Sequence, residues 1–143
     1  MRDPYRLQRF VDAQTSCFEQ VRSELATGKK RSHWMWFIFP QLKGLGSSPM
    51  AQRFAISGID EAKAYLAHPV LGDRLRDCTS LVNAVSGRSI EDIFGYPDDL
   101  KFHSSVTLFA EASHPENKVF NQALAKYFNG LPDKATTDQL PSS

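Results

Sequence analysis

The chain has 143 residues, of which 41% are apolar and 23% are charged, and its formal net charge is +1. This composition is typical of one soluble globular domain, and it excludes a disordered polymer, a collagen-like repeat and a membrane protein. A chain of this length buries roughly 68–70% of the surface that it exposes when unfolded, so its core needs neither a metal ion nor a disulfide.

Apolar runs and cysteines indicate where the protein resides. The longest apolar run, Trp34–Phe39, is far shorter than the roughly 20 residues that span a bilayer. The N-terminus lacks the apolar stretch of a signal peptide, so we expect no membrane association and a cytoplasmic location. Cys17 and Cys78 fall on apolar helical stripes, which predicts two reduced thiols in the core. Because no histidine or cysteine pair has ligand spacing, we predict no metal site. Gly44-Leu45-Gly46 lacks the third glycine of a dinucleotide-binding motif and the Lys-Ser/Thr pair of a phosphate-binding loop, so we predict no cofactor.

Positive charge is concentrated in the first part of the chain. Residues 1–53 contain nine Lys or Arg and four Asp or Glu, a balance of +5, whereas residues 54–143 contain eight and twelve, a balance of −4. We assign most of the positive excess to residues 29–31, which form either a solvated face or an anion site. Since the overall charge is near zero, the sequence disfavours a general nucleic-acid binder.

The first predicted element is one helix over residues 4–27. Asp3 is placed to cap it, apolar residues recur in it at spacings of three or four, and Gly28 stops it. The next segment, residues 29–42, is ambiguous. Its aromatic and β-branched residues suit a buried strand, whereas Ser32 is a suitable N-cap for a short helix.

Helical patterns with short glycine or proline connections fill the rest of the chain. Their spacing predicts helices over residues 49–57, 61–67, 70–85, 90–94, 97–112 and 117–128. About seven helices in this arrangement predict a mainly α fold, a compact orthogonal multi-helix bundle in a single domain. We place that domain at residues 1–132 and a loosely ordered C-terminal tail at 133–143.

Polar side chains on the predicted helix over residues 97–112 fall where an apolar face is expected. Lys101 and Ser105 lie inside the apolar arc of a helical projection. A buried ammonium needs a partner, and Asp98, three residues earlier, is one. The alternative is a pocket in which Lys101, Ser104 and Ser105 bind a phosphate or a carboxylate.

A second candidate site is the aromatic stretch of residues 31–41. If Ser32 caps a helix, the amides of the first turn and Arg31 form an anion site. Trp34 or Trp36 then stacks on a planar ring of the ligand. The alternative is that this aromatic stretch belongs to the core.

Two further side chains complete the predicted site. His33 is the candidate general acid or base, because imidazole exchanges protons near neutral pH. Its alternative role is a hydrogen bond at the start of a helix. Gln41 can present its amide to a ligand or to another backbone segment.

Five segments of the sequence form recognisable motif blocks, at residues 31–41, 44–46, 64–72, 93–95 and 104–109. Together they resemble the motif blocks of the DUF1810 family. The resemblance covers about residues 5–130, and it implies a single, mainly α-helical domain in which the aromatic stretch is helical. The family is named for having no known function, so the resemblance carries no catalytic role to this chain.

These observations lead to two hypotheses. The first is a protein that binds, and in one version processes, an anionic, nucleotide-like small molecule in a pocket between residues 31–41 and the Lys101–Ser105 face. The second is a non-catalytic protein-interaction domain whose basic corner at residues 29–31 meets an acidic partner. A contiguous exposed apolar patch would favour the second.

Overall fold

Between residues 3 and 140, which a computed structural model describes, the chain folds as ten helices. They are α1 (Gln8–Thr15), α2 (Phe18–Thr27), α3 (Met35–Ile38), α4 (Pro49–Arg53), α5 (Ile59–Ala67), α6 (Leu71–Ala84), α7 (Ile90–Phe94), α8 (Asp98–Ala112), α9 (Lys118–Phe128) and α10 (Lys134–Gln139). The predicted mainly α fold is confirmed, although there are more helices than the seven or so expected. None of these helices is long and apolar enough to cross a bilayer.

The first predicted helix is broken into α1 and α2 by a turn at residues 16–17. On either side of the break, α1 packs against α3 and α2 packs against α6. The predicted start at Pro4 with Asp3 as the cap was wrong, because α1 begins at Gln8 after Leu7; the Asp3 carboxylate instead reaches across the preceding turn and accepts hydrogen bonds from the N–H groups of Leu7 (2.7 Å) and Gln8 (2.9 Å). Gly28 ends α2 in the left-handed conformation, with φ of +79°, as predicted.

Within the ambiguous aromatic stretch only residues 35–38 are helical, as the short helix α3, and the rest of the stretch is irregular. Buried Gln14 fixes α3 to α1 and α5, since its amide nitrogen donates to the carbonyl oxygen of Phe37 (2.7 Å) and to the hydroxyl of Tyr65 (3.0 Å). The predicted N-cap was wrong. Trp34 precedes α3, and the Ser32 side chain is bound to a different partner.

Helix α8 lies at the centre of the fold, where it contacts α5, α7, α9 and α10. Phe102, Ala112 and every residue from 104 to 110 are buried. A helix that is covered by neighbours on nearly every side has no polar face. This is why its polar residues fall within an apolar arc.

Other predicted helix starts are confirmed in part. Ser48 caps α4 by accepting a hydrogen bond from the Ala51 N–H at 3.1 Å, although α4 ends at Arg53 rather than near residue 57. Ser89 and Asp92 form a reciprocal capping box at α7. Local capping chemistry therefore fixed the starts of these helices more reliably than their ends.

Helix α6 packs against α2, α5 and α9. Its contact with α5 requires glycine at residue 72, because a Cβ there would lie 2.1 Å from the carbonyl oxygen of Leu66. The same helix carries Cys78, which is fully buried, whereas Cys17 is half-buried, and neither forms a disulfide. Burial raises the pKa of the Cys78 thiol to about 12.

The segment expected to be a loose tail, residues 133–143, has a defined structure over much of its length. Residues 134–139 form α10, which packs against α8 and buries Thr136 completely. The Asp133 carboxylate caps α10 by accepting hydrogen bonds from the N–H (3.2 Å) and the hydroxyl (2.6 Å) of Thr136. Residues 141–143 lie outside the described part of the chain.

Candidate functional site

The anion that the Arg31–Ser32 segment binds is a carboxylate of this chain. Glu24, which is only 3% exposed, accepts hydrogen bonds from the N–H groups of Arg31 (2.7 Å) and Ser32 (3.0 Å), the Ser32 hydroxyl (2.6 Å), the Trp34 indole (2.9 Å) and the Gln20 amide (2.7 Å). We call these five residues the Glu24 cluster. It fastens the loop before α3 to α2.

The Glu24 cluster keeps its carboxylate ionised. Burial acts to raise the pKa of Glu24, but the hydrogen bonds from the Ser32 hydroxyl, the Arg31 N–H and the Gln20 amide outweigh it and lower the pKa to about 2. A carboxylate with this many donors is a strong internal acceptor. The backbone amides of Arg31 and Ser32 are thus occupied, and the expected anion site at these amides is filled from within.

Trp34 lies in the core. Its side chain is 1% exposed, and its ring contacts those of Phe39 (centroids 6.3 Å apart) and Phe94 (6.4 Å), with the Lys30 ammonium 5.2 Å from its centroid. Both faces of the indole are covered by the protein itself. Trp34 therefore has no ring surface left for a ligand, in contrast with Trp36, which is half-buried.

Arg31 and His33 point away from the interior. Both are exposed, and within residues 3–140 neither side chain forms a hydrogen bond or an ion pair. Neither residue lines the cavity beside Lys101. The structure thus separates the predicted proton-transfer residue from the predicted charge-binding lysine.

The loop before α3 and the start of α8 meet at Asp98. Its carboxylate binds the ammonium groups of Lys30 (2.9 Å) and Lys101 (3.5 Å). Lys101 is 25% exposed at its side chain, and its ammonium lies 5.7 Å from the centroid of the Trp36 ring. Lys101 is therefore paired with Asp98, the alternative that the sequence left open, but it shares this carboxylate with a second cation.

Three of the predicted site residues do come together. Gln41, Lys101 and Ser104 line one cavity of about 310 Å³, which we call the Lys101 cavity. Its other walls are formed by Leu45, Gly46, Pro97, Leu100, Asp133 and Ala135. The cavity therefore has an apolar wall and a polar wall, and the ammonium of Lys101 is its nearest cationic group.

Ser104 and Ser105 are adjacent in sequence but differ in their surroundings. The Ser104 hydroxyl donates to the Asp133 carboxylate at 2.9 Å, which ties α8 to α10 beside the Lys101 cavity. Ser105 is fully buried, and its hydroxyl has no hydrogen-bond partner among the described residues. Ser105 does not line the Lys101 cavity, so only one of the two serines is placed to touch a ligand there.

Residues 4–140 match the sequence model of the DUF1810 family, whose description is 'protein of unknown function'. The chain belongs to the DUF1810 family. It is also similar to a solved structure, that of the conserved hypothetical protein Rv1873 from Mycobacterium tuberculosis. The two are 56% identical over 99% of this chain and 100% of that chain, with a TM-score of 0.96. No curated protein matches the sequence.

Sequence reasoning missed two residues that organise this DUF1810 protein around its candidate site. Glu24 was hidden inside a well-formed helical pattern, where one acidic residue has no distinguishing mark. Asp133 was assigned to the tail, although an Asp that directly follows Pro132 and stands three residues before Thr136 has the spacing of a helix cap. That spacing is a signal that could have located Asp133.

Proposed function

We propose that this DUF1810 protein is a small-ligand protein whose ligand binds in the Lys101 cavity through one anionic group. The supporting observation is that Gln41, Lys101 and Ser104, selected from sequence alone, line the same cavity of about 310 Å³. This volume is at the lower end of the roughly 300–1,000 Å³ typical of small-molecule sites. We further propose a cytoplasmic location, which the two unpaired thiols support.

Charge determines where the anionic group of the ligand lies. Lys30 and Lys101 share the single carboxylate of Asp98, and the carboxylate that lines the cavity, that of Asp133, accepts hydrogen bonds from the hydroxyls of Ser104 and Thr136 rather than from a lysine. The exposed part of Lys101 donates to the anionic group, and the amide of Gln41 donates or accepts at the opposite wall. A phosphate or carboxylate is the group that fits this arrangement.

The rest of the cavity selects the uncharged part of the ligand. Leu45, Pro97 and Leu100 form an apolar wall against which one ring can pack. The Ser104 hydroxyl already donates to Asp133, so it can only accept a hydrogen bond from the ligand. Of the nucleotide-like molecules expected from the sequence, those with one ring and one charged group match these walls best.

Thermal unfolding in the presence of nucleoside monophosphates, sugar phosphates and simple carboxylates tests this proposal. A ligand at 100 times its Kd stabilises the folded state by about 2.7 kcal/mol. We expect this stabilisation to be lost in Lys101→Met, which keeps the apolar stem, and to be kept in Lys134→Met, whose exposed lysine pairs with Asp138 outside the cavity. Equal behaviour of the two variants would disprove the assigned role of Lys101.

A protein-interaction domain is the second candidate function. It is favoured by two large apolar side chains at the start of α8, Tyr96 at 74% and Leu100 at 52% exposure. If the protein self-associates, the mass measured by sedimentation of the wild type should rise with protein concentration. The double variant Tyr96→Ser with Leu100→Ser should abolish that rise. A protein that is monomeric at all concentrations, and whose stabilisation by a ligand requires Lys101, would favour the small-ligand function over the interaction domain.

A further inference from the structure

A second cavity, of about 300 Å³, is lined by four cationic side chains. Arg6 and Arg9 come from the N-terminal segment and α1, Lys43 from the loop after α3, and Arg53 from the end of α4. We call it the cationic cavity. These four residues are among the nine Lys and Arg of residues 1–53. A large part of the positive charge of that segment therefore lies at this cavity and not at residues 29–31, where most of the excess was expected.

Arg9 is fully used in holding the walls of the cationic cavity together. Its guanidinium donates to the carbonyl oxygens of Tyr5, Arg6 (2.9 Å), Arg53 (3.0 Å) and Ala55 (2.9 Å). Its remaining donor binds the carboxylate of Glu61 at 3.2 Å. Arg9 is therefore a structural element of the cavity, with no donor left for a ligand.

Glu61, the one carboxylate that lines the cationic cavity, is neutralised in the same way. Besides Arg9, it accepts hydrogen bonds from the N–H (3.0 Å) and the hydroxyl (2.8 Å) of Ser57. Arg9 and Glu61 cancel each other in charge. What remains at the cavity is the charge of Arg6, Lys43 and Arg53.

These three cations form no ion pair with any residue of the described chain. Arg6 is held at the cavity by a backbone turn with φ of +53°, a left-handed conformation that arginine rarely adopts. Three unpaired cations around one concave surface repel each other and raise the local potential, and a multiply charged anion relieves that repulsion. Phosphate, which presents several oxygens to Arg and Lys at once, fits best.

A larger cavity of about 460 Å³ adjoins the cationic cavity, since Tyr5, Lys43, Ser57 and Glu61 line both. Its own walls include the apolar side chains of Leu42, Ile59 and Leu140. It also contains the carboxylate of Asp60, which disfavours an anion there. A ligand that extends across both cavities thus places its charge in the first and its apolar part in the second.

We propose that the cationic cavity binds the phosphate of a phosphomonoester whose apolar or aromatic part lies against Tyr5, Leu42 and Ile59. This site is separate from the Lys101 cavity, with which neither of these two cavities shares a lining residue. It does not depend on the function proposed above. Arg6, Lys43 and Arg53 bind the phosphate, while Arg9 and Glu61 hold the cavity in shape.

Nitrogen-15 NMR titration of the full chain with phenyl phosphate and with inorganic phosphate, at constant ionic strength, tests this assignment. We expect saturable shifts at Arg6, Lys43 and Arg53, and a Kd for phenyl phosphate that is about threefold or more below that for inorganic phosphate, because the ring gains apolar contacts. Shifts that do not saturate, or that occur only around Lys101, would overturn the proposal.

Two double variants that remove the same charge test whether phenyl phosphate binds at these particular residues or responds only to the overall positive charge of the protein. Lys43→Gln with Arg53→Gln should raise the Kd for phenyl phosphate about tenfold, whereas Arg88→Gln with Lys118→Gln, which removes the same charge from exposed positions elsewhere, should change it by less than about twofold. All four side chains are exposed, so both doubles should keep the wild-type spectrum and melting temperature. Equal weakening by both doubles would refute a site built from these residues.

Discussion

The Glu24 cluster and the Lys101 cavity both contain polar side chains in apolar surroundings, but the partners of those side chains differ. In the Glu24 cluster every donor that surrounds the carboxylate belongs to the chain and is in contact with it. At the Lys101 cavity the ammonium of Lys101 shares its carboxylate with another lysine, and its side chain is 25% exposed. A misplaced polar residue therefore does not by itself predict its surroundings: Ser32 has an internal partner, Lys101 lines a cavity, and the hydroxyl of Ser105 has no partner among the described residues.

The largest effect that separates the two regions is expected from Glu24→Ala. Removing this carboxylate leaves several buried donors without an acceptor, each at about 1–3 kcal/mol, so we expect a loss of about 3–5 kcal/mol in the free energy of unfolding. Urea denaturation measures it. Glu19→Ala, an exposed acidic residue on the same helix, should change stability by less than about 0.5 kcal/mol. A small loss for Glu24→Ala would mean that the cluster is not an internal anion site.

The pH dependence of the free energy of unfolding tests whether Glu24 is ionised in the folded protein. The pKa of Glu24 is lowered from 4.5 to about 2, so its stabilisation is complete above pH 4.5 and is lost as the pH falls towards 2. Between about pH 5 and pH 3, the urea midpoint of the wild type should fall further than that of Glu24→Gln, which has no proton to gain at this position. Parallel curves for the two proteins would contradict an ionised, hydrogen-bonded Glu24.

A smaller effect is expected at the junction of the two regions, from Asp98→Asn. This change leaves Lys30, whose side chain is only 9% exposed, and Lys101 without their shared carboxylate. We expect a loss of about 1–2 kcal/mol, because one of the two ion pairs is largely buried. Asp138→Asn removes the partner of exposed Lys134 and should be close to neutral. Equal effects in chemical denaturation would show that Asp98 has no special role.

The smallest effects distinguish the two adjacent serines of α8, and they should have opposite signs. Ser104→Ala removes the hydrogen bond to Asp133 and should destabilise the protein by about 1 kcal/mol. Ser105→Ala removes a buried hydroxyl with no described partner and should be neutral or stabilising by up to about 1 kcal/mol. Differential scanning calorimetry of both variants gives the comparison. Destabilisation by Ser105→Ala would reveal a partner for its hydroxyl.

Much of the fold could be predicted because it depends on local rules. The stop at Gly28, the cap at Ser48 and the capping box at Ser89 follow from backbone conformation and nearby hydrogen bonds. The break between α1 and α2 could not be predicted in this way. The two halves pack against different helices, and no periodicity within residues 4–27 records that difference.

The candidate site was predictable in part for the same reason. Lys101 was found because its charge falls inside the apolar arc of a helix, whereas Ser104 was included as its neighbour in an anion pocket and Gln41 for its amide next to the aromatic stretch. The identity of each partner depends on long-range packing, which brings Asp133 to α8 and Glu24 to the loop before α3. The four cations of the second cavity are spread over residues 6–53, so only the fold makes them neighbours.

The buried thiol of Cys78 provides a natural probe of how the fold opens. Because this thiol is inaccessible and its pKa is raised to about 12, an alkylating reagent reacts with it only after α6 separates from its neighbours. When reclosing is fast, the alkylation rate at a fixed pH reports the equilibrium population of the opened state under native conditions. Cys17, which is half-buried and directly precedes α2, reports more local openings. The two natural cysteines can therefore map the order in which the helices detach, without an added label.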